Sequence, residues 1–362
     1  MEKLLLGAIA LSFFACTNQS NTRVVESDKT LPHDFMFMQR AYPSGEINAS
    51  AFAQAVQWKK KNSSQNKASA ELWEFVGPLN TGGRITDVEI PIDDANTYYV
   101  GTASGGIFKT IDGGATFNPI FDDQEILSIG DMQLSKNNPN TIWVGTGEVN
   151  AGGGSLAYDG DGVYRSTNGG MSWESRGLPS VGSIGKVLID PTDDNTIFVG
   201  AMGPLFKNDP NRGVYKTTNG GESWEQVLFI SDKTGIIDMA IHPTNANIVY
   251  AAAWQRERTP NNRIYGGEES GLYKSIDGGL TWSQMTSGLP TQGAQKGRIS
   301  ISISESNPAV LYARYADATG NIQGVYRSAD GGDSWVTRNS SQLTDVGFHW
   351  WFRGIYIDPT NE

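Results

Sequence analysis

The sequence predicts an all-β protein, a β-propeller of four-stranded blades with five full repeats and the start of a sixth. We expect it to be a fragment of a larger propeller. The first supporting observation is a turn-like stretch that recurs five times. The second is strand-like alternation of apolar and polar residues across residues 71–362, with a repeat spacing of roughly 50 to 58 residues. The third is a Pro and Asn turn between the first two strands of the repeats.

The recurring stretch has the chemistry of a tight turn. Its order is hydroxyl, any residue, Asp or Asn, Gly, Gly, any residue, hydroxyl, aromatic, at residues 110–117, 166–173, 217–224, 275–282 and 328–335. The Gly pair permits positive φ, and the Asp or Asn oxygen can accept hydrogen bonds from turn N–H groups. We therefore interpret the third residue as structural rather than catalytic or metal-binding. These five residues are Asp112, Asn168, Asn219, Asp277 and Asp330.

The first and second strands of each repeat precede the hairpin that carries the turn. The predicted first strands are 83–90, 129–134, 184–189, 236–241 and 298–303, and the predicted second strands are 97–102, 141–146, 196–200, 247–252 and 310–314. Residues 72–76 match the outermost strand that follows each turn, yet they precede the first repeat. In a closed ring this segment completes the last blade and pairs an exposed edge. Residues 353–361 resemble the start of a sixth repeat, so we expect the propeller domain, 71–362, to be incomplete at its C-terminus.

The first 70 residues divide into an export signal and a tether. Lys3 precedes an apolar run, 4–15, which is too short to span a membrane and is followed by Cys16. This resembles a bacterial lipoprotein signal, so we expect residues 1–16 to be a signal peptide and Cys16 to be lipidated. The protein would then be an outer-membrane or cell-surface lipoprotein that meets the membrane only through its lipid. The alternative is ordinary secretion to the periplasm or medium. Residues 17–70 form a polar tether with one short helix within 46–61.

The composition excludes several classes of partner. The 28 basic and 39 acidic residues give a net charge of −11, spread along the chain, which disfavours nucleic acid. One cysteine forms no internal disulfide. The histidines, His33, His242 and His349, lack the spacing of metal ligands, so we predict no transition-metal site and no cofactor. Calcium on the acidic turns is the one metal that the sequence leaves open.

The repeated turns resemble the Asp-box, or bacterial neuraminidase (BNR) repeat, of sialidases, sortilin-type receptors, xyloglucanases and a photosystem-assembly propeller. The run from Trp73 through Gly82-Gly83-Arg84-Ile85 to Gly105-Gly106-Ile107-Phe108-Lys109 most resembles bacterial exported proteins with a sortilin-like propeller. The resemblance covers roughly residues 71–362. It implies the fold but not one activity, because Asp-box propellers perform unrelated tasks.

The sequence departs from the enzymes of this group. Xyloglucanases carry a catalytic Asp just before a Gly-Gly in their first blade, where this chain has Ala103-Ser104 before Gly105-Gly106. Sialidases carry a Phe-Arg-Ile-Pro motif ahead of their Asp-boxes. The superficially similar Phe352-Arg353-Gly354-Ile355 follows the repeated turns in this chain. The resemblance therefore does not supply an acid/base pair.

Candidate site residues lie in the loops between second and third strands. Because strands are antiparallel, these loops share the face opposite the repeated turns, and long loops on rigid scaffolds commonly bind ligands. The longest are 148–161 in repeat two and 253–270 in repeat four. The predicted ligand-binding residues are Glu148, Tyr158, Asp159, Asp161, Trp254, Arg256, Arg258, Tyr265, and His349 and Trp350 after repeat five. The alternative is self-paired surface loops whose aromatic residues pack inward.

Two main functions are compatible with these loops. We favour a cell-envelope binding module that captures a peptide, protein or glycan. The alternative is a glycoside hydrolase with Glu148, Asp159 or Asp161 as acid and base, for which the carboxyl separation should be about 5–5.5 Å (retaining) or 6.5–9.5 Å (inverting). A third hypothesis is a scaffold that docks further domains.

Overall fold

The structure is a computed structural model that describes residues 38–48, 51–62, 82–150, 158–259, 262–343, 349, 351 and 354–362. Five antiparallel four-stranded sheets dominate the described residues. The predicted all-β class is therefore confirmed, and the repeated four-stranded sheets are consistent with a β-propeller.

The helix α1 (Ala51–Asn62) precedes the sheets and overlaps the range 46–61 where the sequence predicts a helix. Phe52 and Trp58 are exposed on it, and Ala53 is buried. The ammonium group of Lys60 donates a hydrogen bond to the carbonyl oxygen of Asp123, which ties the helix to the first sheet's outer end. No helix in the described ranges is both long and apolar enough to cross a bilayer. The signal segment with Cys16 and the predicted strand at 72–76 lie outside the described residues.

Each sheet consists of strands that follow one another in the chain. Sheet one contains β1 (Ile85–Glu89), β2 (Tyr98–Thr102), β3 (Ile107–Thr110) and β4 (Asn118–Pro119), and sheet two contains β5 (Ile129–Leu134), β6 (Ile142–Thr146), β7 (Val163–Ser166) and β8 (Glu174–Ser175). Sheet three contains β9 (Ser183–Asp190), β10 (Asp193–Gly203), β11 (Gly213–Thr217) and β12 (Glu225–Leu228). Sheet four contains β13 (Thr234–Ile241), β14 (Val249–Gln255), β17 (Gly271–Ser275) and β18 (Ser283–Met285), with a separate hairpin of β15 (Glu257–Thr259) and β16 (Asn262–Ile264). Sheet five contains β19 (Ile299–Ile303), β20 (Leu311–Ala316), β21 (Ile322–Ser328) and β22 (Val336–Arg338), and two 3₁₀ helices occupy Gly293–Gln295 and Ser341–Leu343.

The predicted first and second strands all overlap observed strands. Two expectations require correction. Strand β14 continues to Gln255, so Ala253 and Trp254 belong to the sheet rather than to the loop, because both pair with β13. Residues 354–362 form no strand in the structure, although the sequence predicts the first strand of a sixth repeat there. This segment has no ladder partner among the described residues, and a strand requires one.

The five sheets are arranged around their first strands. Each first strand contacts the first strand of the next sheet, from β1 to β5, β9, β13 and β19. Carboxylates join these strands, because Asp87 accepts a hydrogen bond from the N–H of Met132 and Asp131 accepts one from Val187. An ion pair of 2.7 Å between Lys136 and Glu305 also connects sheet two directly with sheet five. A linear stack would not bring those two sheets together, so the sheets curve around an axis.

Glycine permits the closest approach of these strands. A Cβ atom on Gly130 of β5 would lie 2.1 Å from the carbonyl oxygen of Ile184 in β9. No other residue fits at that distance without moving the backbone.

Aromatic side chains of the second strands fill the space between sheets. Tyr99, Trp143, Phe198 and Tyr250 are all buried at equivalent positions. The hydroxyl group of Tyr250 donates a 2.8 Å hydrogen bond to the carbonyl oxygen of Gly331, in the repeated turn of the next sheet. The core therefore lies between sheets and couples each sheet to the turn that follows.

The five repeated turns share one set of hydrogen bonds. In the copy at 275–282, the hydroxyl group of Ser275 donates to Asp277 at 2.8 Å and accepts from the N–H of Gly279 at 2.8 Å. The Asp277 carboxylate also accepts from the N–H of Thr281 at 2.9 Å. Equivalent bonds occur in the other four copies, with Asn168 and Asn219 replacing the aspartate. Both glycines have positive φ in every copy.

The repeated turns lie on the same face as the turns between first and second strands. The first glycine of each repeated turn donates to a carbonyl oxygen of that neighbouring turn, as Gly113 does to Asn96 at 2.9 Å. We call this the turn face. The opposite face carries the loops that join second and third strands, and we call it the loop face.

Candidate functional site

The loop of sheet two occupies the loop face close to the axis. The N–H of Glu148 donates to the hydroxyl group of Ser128 at 3.0 Å, and the N–H of Asp161 donates to Thr146 at 2.8 Å. These bonds fix both ends of the loop, while residues 151–157 lie outside the described residues. The loop thereby brings carboxyl groups from sheet two to the first strands of its neighbours.

Five polar residues from four sheets meet beside the axis, and we call them the axial cluster: Arg84, Glu148, Asn150, Arg256 and Arg298. The guanidinium group of Arg84 forms an ion pair with Glu148, and Arg298 donates to the side-chain oxygen of Asn150. Arg256 donates to the carbonyl oxygen of Val149. Glu148 is fully buried, and Arg256 is only 1% exposed.

The protonation of the axial cluster is governed by burial. Burial raises the pKa of the Glu148 carboxyl above its ordinary value, and the charges of Arg84, Arg298 and Arg256 oppose this without cancelling it. Burial, with the charges of Arg212 and Arg258, also lowers the pKa of Arg256 to about 9. Both pKa shifts indicate that the surrounding charges and hydrogen bonds do not fully offset the cost of burying these two charged groups.

A cleft of about 590 Å³ opens next to the axial cluster. It is lined by Arg84 and Asn150 together with residues of β1, Lys186, Trp351 and Tyr356. The Arg84 guanidinium carbon lies 5.6 Å from the Trp351 ring centroid. Arg84 therefore faces the cleft while it is bound to buried Glu148.

Asp159 and Tyr158 lie farther out along the same loop. Asp159 accepts a 2.9 Å hydrogen bond from the N–H of Leu205, and burial raises its pKa. The Arg40 guanidinium stacks over the Tyr158 ring at 5.1 Å, and Arg258 stacks over Phe206 at 4.8 Å. The contacts of Asp159 and Tyr158 hold the loop against sheet three and the N-terminal segment, and the contact of Arg258 joins the hairpin of sheet four to sheet three.

Asp161 is a partly exposed carboxyl on the loop face. Burial raises its pKa, the negative charge of Glu125 raises it further, and a hydrogen bond from the Tyr164 hydroxyl opposes both effects. That hydrogen bond measures 3.4 Å. Glu125 is also partly exposed, in the segment that connects sheets one and two. The two carboxyl groups therefore lie near one another and are accessible to solvent.

The predicted ligand-binding residues do not form a single site. The charge of Arg256 acts on Glu148 beside the axis and on Asp159 farther out along the same loop, and Arg258 lies close to Arg256. Tyr158 and Asp161 make the separate contacts described above. Trp254 and Tyr265 contact each other, because the Trp254 indole N–H donates to the Tyr265 carbonyl oxygen at 2.9 Å. His349 is buried between Arg314 and the carbonyl oxygen of Leu343, and Trp350 lies outside the described residues.

Burial corrects the expectation that the loop of sheet four exposes aromatic and basic side chains. Trp254, Arg256 and Arg258 are at most 3% exposed. Trp254 packs in the hydrophobic core, which matches the inward-packing alternative stated above. Among the predicted residues that the structure describes, Tyr158 is the most accessible at 39%.

Sequence reasoning missed several members of this region. Arg84 and Arg298 begin first-strand segments, and Glu125 lies in a connection between sheets, so none is in a long variable loop. The available signal was an arginine just ahead of two first strands, at the ends that point to the loop face.

Comparisons with known proteins agree with the fold. No protein-family model matches the chain. Xyloglucanase Xgh74A of Acetivibrio thermocellus is 22% identical over 324 residues, covering 80% of this chain and 36% of its own length. A xyloglucanase of a Paenibacillus species is 22% identical over 233 residues, covering 63% of this chain and 19% of its own length. The chain thus spans about a third or less of these relatives.

Two solved structures share the architecture. An ancestral GH74 enzyme matches 75% of this chain and 33% of its own with a TM-score of 0.55 and 23% identity. The GH74 enzyme of Niastella koreensis matches 76% of this chain and 42% of its own, with a TM-score of 0.55 and 20% identity. At this level of identity the likeness supports the β-propeller fold alone.

The favoured interpretation of a propeller that only binds a ligand is wrong by these comparisons. The sequence relatives are named xyloglucanases, and this favours the alternative hypothesis of a glycoside hydrolase over the favoured one.

Proposed function

We propose that this protein is a glycoside hydrolase that acts on a xyloglucan-type polysaccharide, with Asp161 as proton donor and Glu125 as the second carboxylate. The observation that carries the proposal is that both side chains are partly exposed and that burial and the negative charge of Glu125 raise the pKa of Asp161. Glycosidases use one carboxyl that retains its proton and a second that is ionised. The likeness to xyloglucanases names the substrate class.

The position of the pair supports this assignment. The N–H of Gly106 donates to the carbonyl oxygen of Leu127 at 2.8 Å. The segment that carries Glu125 therefore lies against Gly105-Gly106, in the loop between β2 and β3. Ala103-Ser104, which stand where xyloglucanases carry a catalytic Asp, immediately precede these glycines. Glu125 and Asp161 supply carboxyl groups from neighbouring segments where the first loop has none.

Glu148 and Asp159 suit proton transfer less well. Glu148 is fully buried and paired with Arg84, and Asp159 is held by the Leu205 N–H among arginines. A proton donor must reach the glycosidic oxygen. We therefore assign these two residues to loop structure and ligand positioning.

We further propose that the five repeated turns are Asp-box repeats of a sortilin-like propeller and that Cys16 anchors an exported protein through lipid. The shared turn hydrogen bonds support the first part. The apolar run before Cys16 supports the second. Metabolic labelling with a palmitate analogue, compared between wild type and Cys16→Ala, tests the anchor.

The test of the hydrolase is release of reducing ends from xyloglucan by the full-length protein. We expect Asp161→Asn and Glu125→Gln each to lower kcat by about 10²- to 10⁴-fold with little change in melting temperature. Asp122→Asn, which alters an exposed carboxyl in the same segment, serves as the matched control and should retain activity.

The pH profile provides a second readout. Because its pKa is raised, Asp161 keeps its proton to higher pH than an ordinary aspartate, and kcat should fall as pH rises through that pKa. This fall of kcat at higher pH should be absent from the residual activity of Asp161→Asn. Wild-type protein that releases nothing from xyloglucan or other β-glucans, or full activity in Asp161→Asn, would overturn the proposal.

A further inference from the structure

The helix α1 is attached to the rest of the protein by one of its sides. Ala53 is the buried residue of the helix. Successive residues of an α-helix are rotated by about 100°, so Lys60 lies on the same side as Ala53. The ammonium group of Lys60 donates a hydrogen bond to the carbonyl oxygen of Asp123. This side of α1 therefore faces the protein.

The opposite side of α1 is apolar and faces solvent. The same rotation places three alanine and tryptophan residues opposite Ala53, with a phenylalanine at their edge. We call these four residues the outer stripe: Ala51, Phe52, Ala55 and Trp58. All four are exposed, and the accessible fractions of Phe52 and Trp58 are 58% and 67%. A helix on a globular protein normally turns its apolar stripe towards the core, so this reversed orientation indicates a surface that binds a partner.

The charge of the helix indicates the chemistry of that partner. Residues 47–70 contain four lysines and no acidic residue, although the whole chain has a net charge of −11. Three of the lysines, Lys59, Lys60 and Lys61, are consecutive in the last turn of α1. Lys59 projects beside Phe52, and Lys61 lies beyond Trp58 at the other edge of the outer stripe. Both are exposed, so an apolar surface with basic edges faces away from an acidic protein.

An anionic lipid surface matches both properties of this helix. Tryptophan favours the headgroup level of a bilayer, because its ring is apolar and its indole N–H is polar. Lysine places its apolar stem along the acyl boundary and its ammonium group among the lipid phosphates. Short helices with these residue types lie in the plane of the interface, and anionic lipids strengthen their binding.

We infer that the outer stripe of α1 docks on the surface of a bilayer that contains anionic lipids. Phe52 and Trp58 enter the headgroup region, and Lys59 and Lys61 pair with lipid phosphates. The inference goes beyond the proposed hydrolase and uses neither of its carboxyl groups. It also adds a contact made by the folded chain to the membrane contact that the sequence predicts through lipid alone.

Site-specific fluorescence on the full-length protein tests this orientation. Cys16→Ala removes the single cysteine of the chain, and one new cysteine then carries a fluorophore that reports the polarity of its surroundings. Ala55→Cys places the fluorophore in the outer stripe, and Gln57→Cys places it on the polar side of the same helix. Both residues are exposed, so they form a matched pair. Phosphatidylglycerol vesicles should shift the emission of the label at position 55 to the blue, and brominated acyl chains should quench it.

The label at position 57 should respond much less, because that side of the helix points away from the bilayer. Met171→Cys is a second control, since Met171 is 82% exposed on the repeated turn of sheet two. A label there should stay in water even when another part of the chain holds the protein on the vesicle.

Substitutions separate the apolar and the electrostatic contributions. Phe52→Ser combined with Trp58→Ser should raise the lipid concentration for a half-maximal shift about tenfold or more, because binding scales with the apolar area that enters the interface. Lys59→Gln combined with Lys61→Gln should reduce the preference for phosphatidylglycerol over phosphatidylcholine vesicles, and added salt should do the same in wild type. All four residues are exposed, so melting temperatures should not change.

Two results would overturn the inference. The first is an equal response of the labels at positions 55 and 57, or no response of either to phosphatidylglycerol vesicles. The second is a dimer in vesicle-free solution that Trp58→Ser converts to a monomer, because a second copy would then cover the outer stripe. Xyloglucan turnover is measured separately, so either result leaves the hydrolase proposal unaffected.

Discussion

Carboxyl groups on the turn face and near the axis have opposite properties. On the turn face, hydrogen bonds from neighbouring hydroxyl groups and N–H groups lower the pKa of Asp112, Asp277 and Asp330 to about 2. On the loop face and along the first strands, burial raises the pKa of Glu148, Asp161 and Glu89. The first group is repeated and exposed, whereas each member of the second stands in its own surroundings.

The difference shows that the environment, and not the residue type, decides whether the pKa of a carboxyl group is lowered or raised. A turn supplies several donors to an exposed carboxylate, which stabilises the ionised form. The loop face supplies few donors and much burial, which favours the protonated form or a cationic partner. Raised pKa values are the ones useful for acid catalysis at neutral pH.

The largest effect on the turn face should come from its buried hydroxyl groups. Ser275→Ala removes the acceptor of the Gly279 N–H and the donor to Asp277 in a residue that is 1% exposed. We expect the free energy of unfolding to fall by about 1–3 kcal/mol, measured by urea denaturation. Activity per folded molecule should not change.

Ser283→Ala is the control for this variant, because Ser283 is exposed on the neighbouring strand. Equal stability of the two variants would show that the turn hydroxyl groups do not clasp the fold. The repeated turns would then have no stabilising role that sets the turn face apart from the loop face.

An intermediate effect is expected at Glu89, where burial and the charge of Asp87 raise the pKa to about 8. The folded protein then holds a proton that the unfolded chain releases above its ordinary pKa of 4.5. Stability should therefore fall as pH rises from about 4.5 to 8 and level off above that. Melting temperatures from pH 5 to 9 would record this slope.

Glu89→Gln should remove the slope without unfolding the protein. Gln133 occupies the corresponding position of β5 and accepts a hydrogen bond from the N–H of Ile189, as Glu89 does from Leu134. An unchanged pH dependence in the variant would mean that Glu89 is ionised in the folded protein.

The smallest effect is expected for Asp277→Asn. Asn168 and Asn219 make the same turn bonds, so the variant should keep its melting temperature at pH 7 within about 2 °C. Because the pKa of Asp277 is lowered to about 2, its contribution is present above pH 4 and is lost as pH falls towards 2. The variant should lack this acid-dependent part.

Scans at pH 7 and pH 2.5 check the prediction. A large loss of stability at pH 7 would show that the aspartates have a role that asparagine does not fill, such as calcium binding. In the described residues no group of three or more His, Cys, Asp or Glu is placed to hold a metal ion.

The repeated elements of the fold were predictable because their causes are local. The turn at 275–282 needs only Ser275, Asp277 and two glycines, which lie within a few residues of one another. Strands such as β5 and β13 follow from alternation and from the Pro and Asn turns. The placement of Trp254 was not predictable, because an aromatic residue beside an arginine-rich loop is equally consistent with a ligand platform and with core.

The sequence by itself determined the all-β class, the five repeated turns and the face on which variable loops gather, since short-range hydrogen bonding and side-chain alternation dictate them. Only the tertiary structure decided which charged residues meet. Arg84, Glu148, Arg256 and Arg298 come from four different sheets, and the curvature of the sheets around the axis brings them together. That curvature arises from contacts between first strands of consecutive sheets, such as Gly130 against Ile184. Burial of the cluster, and therefore its raised and lowered pKa values, depends on those distant contacts.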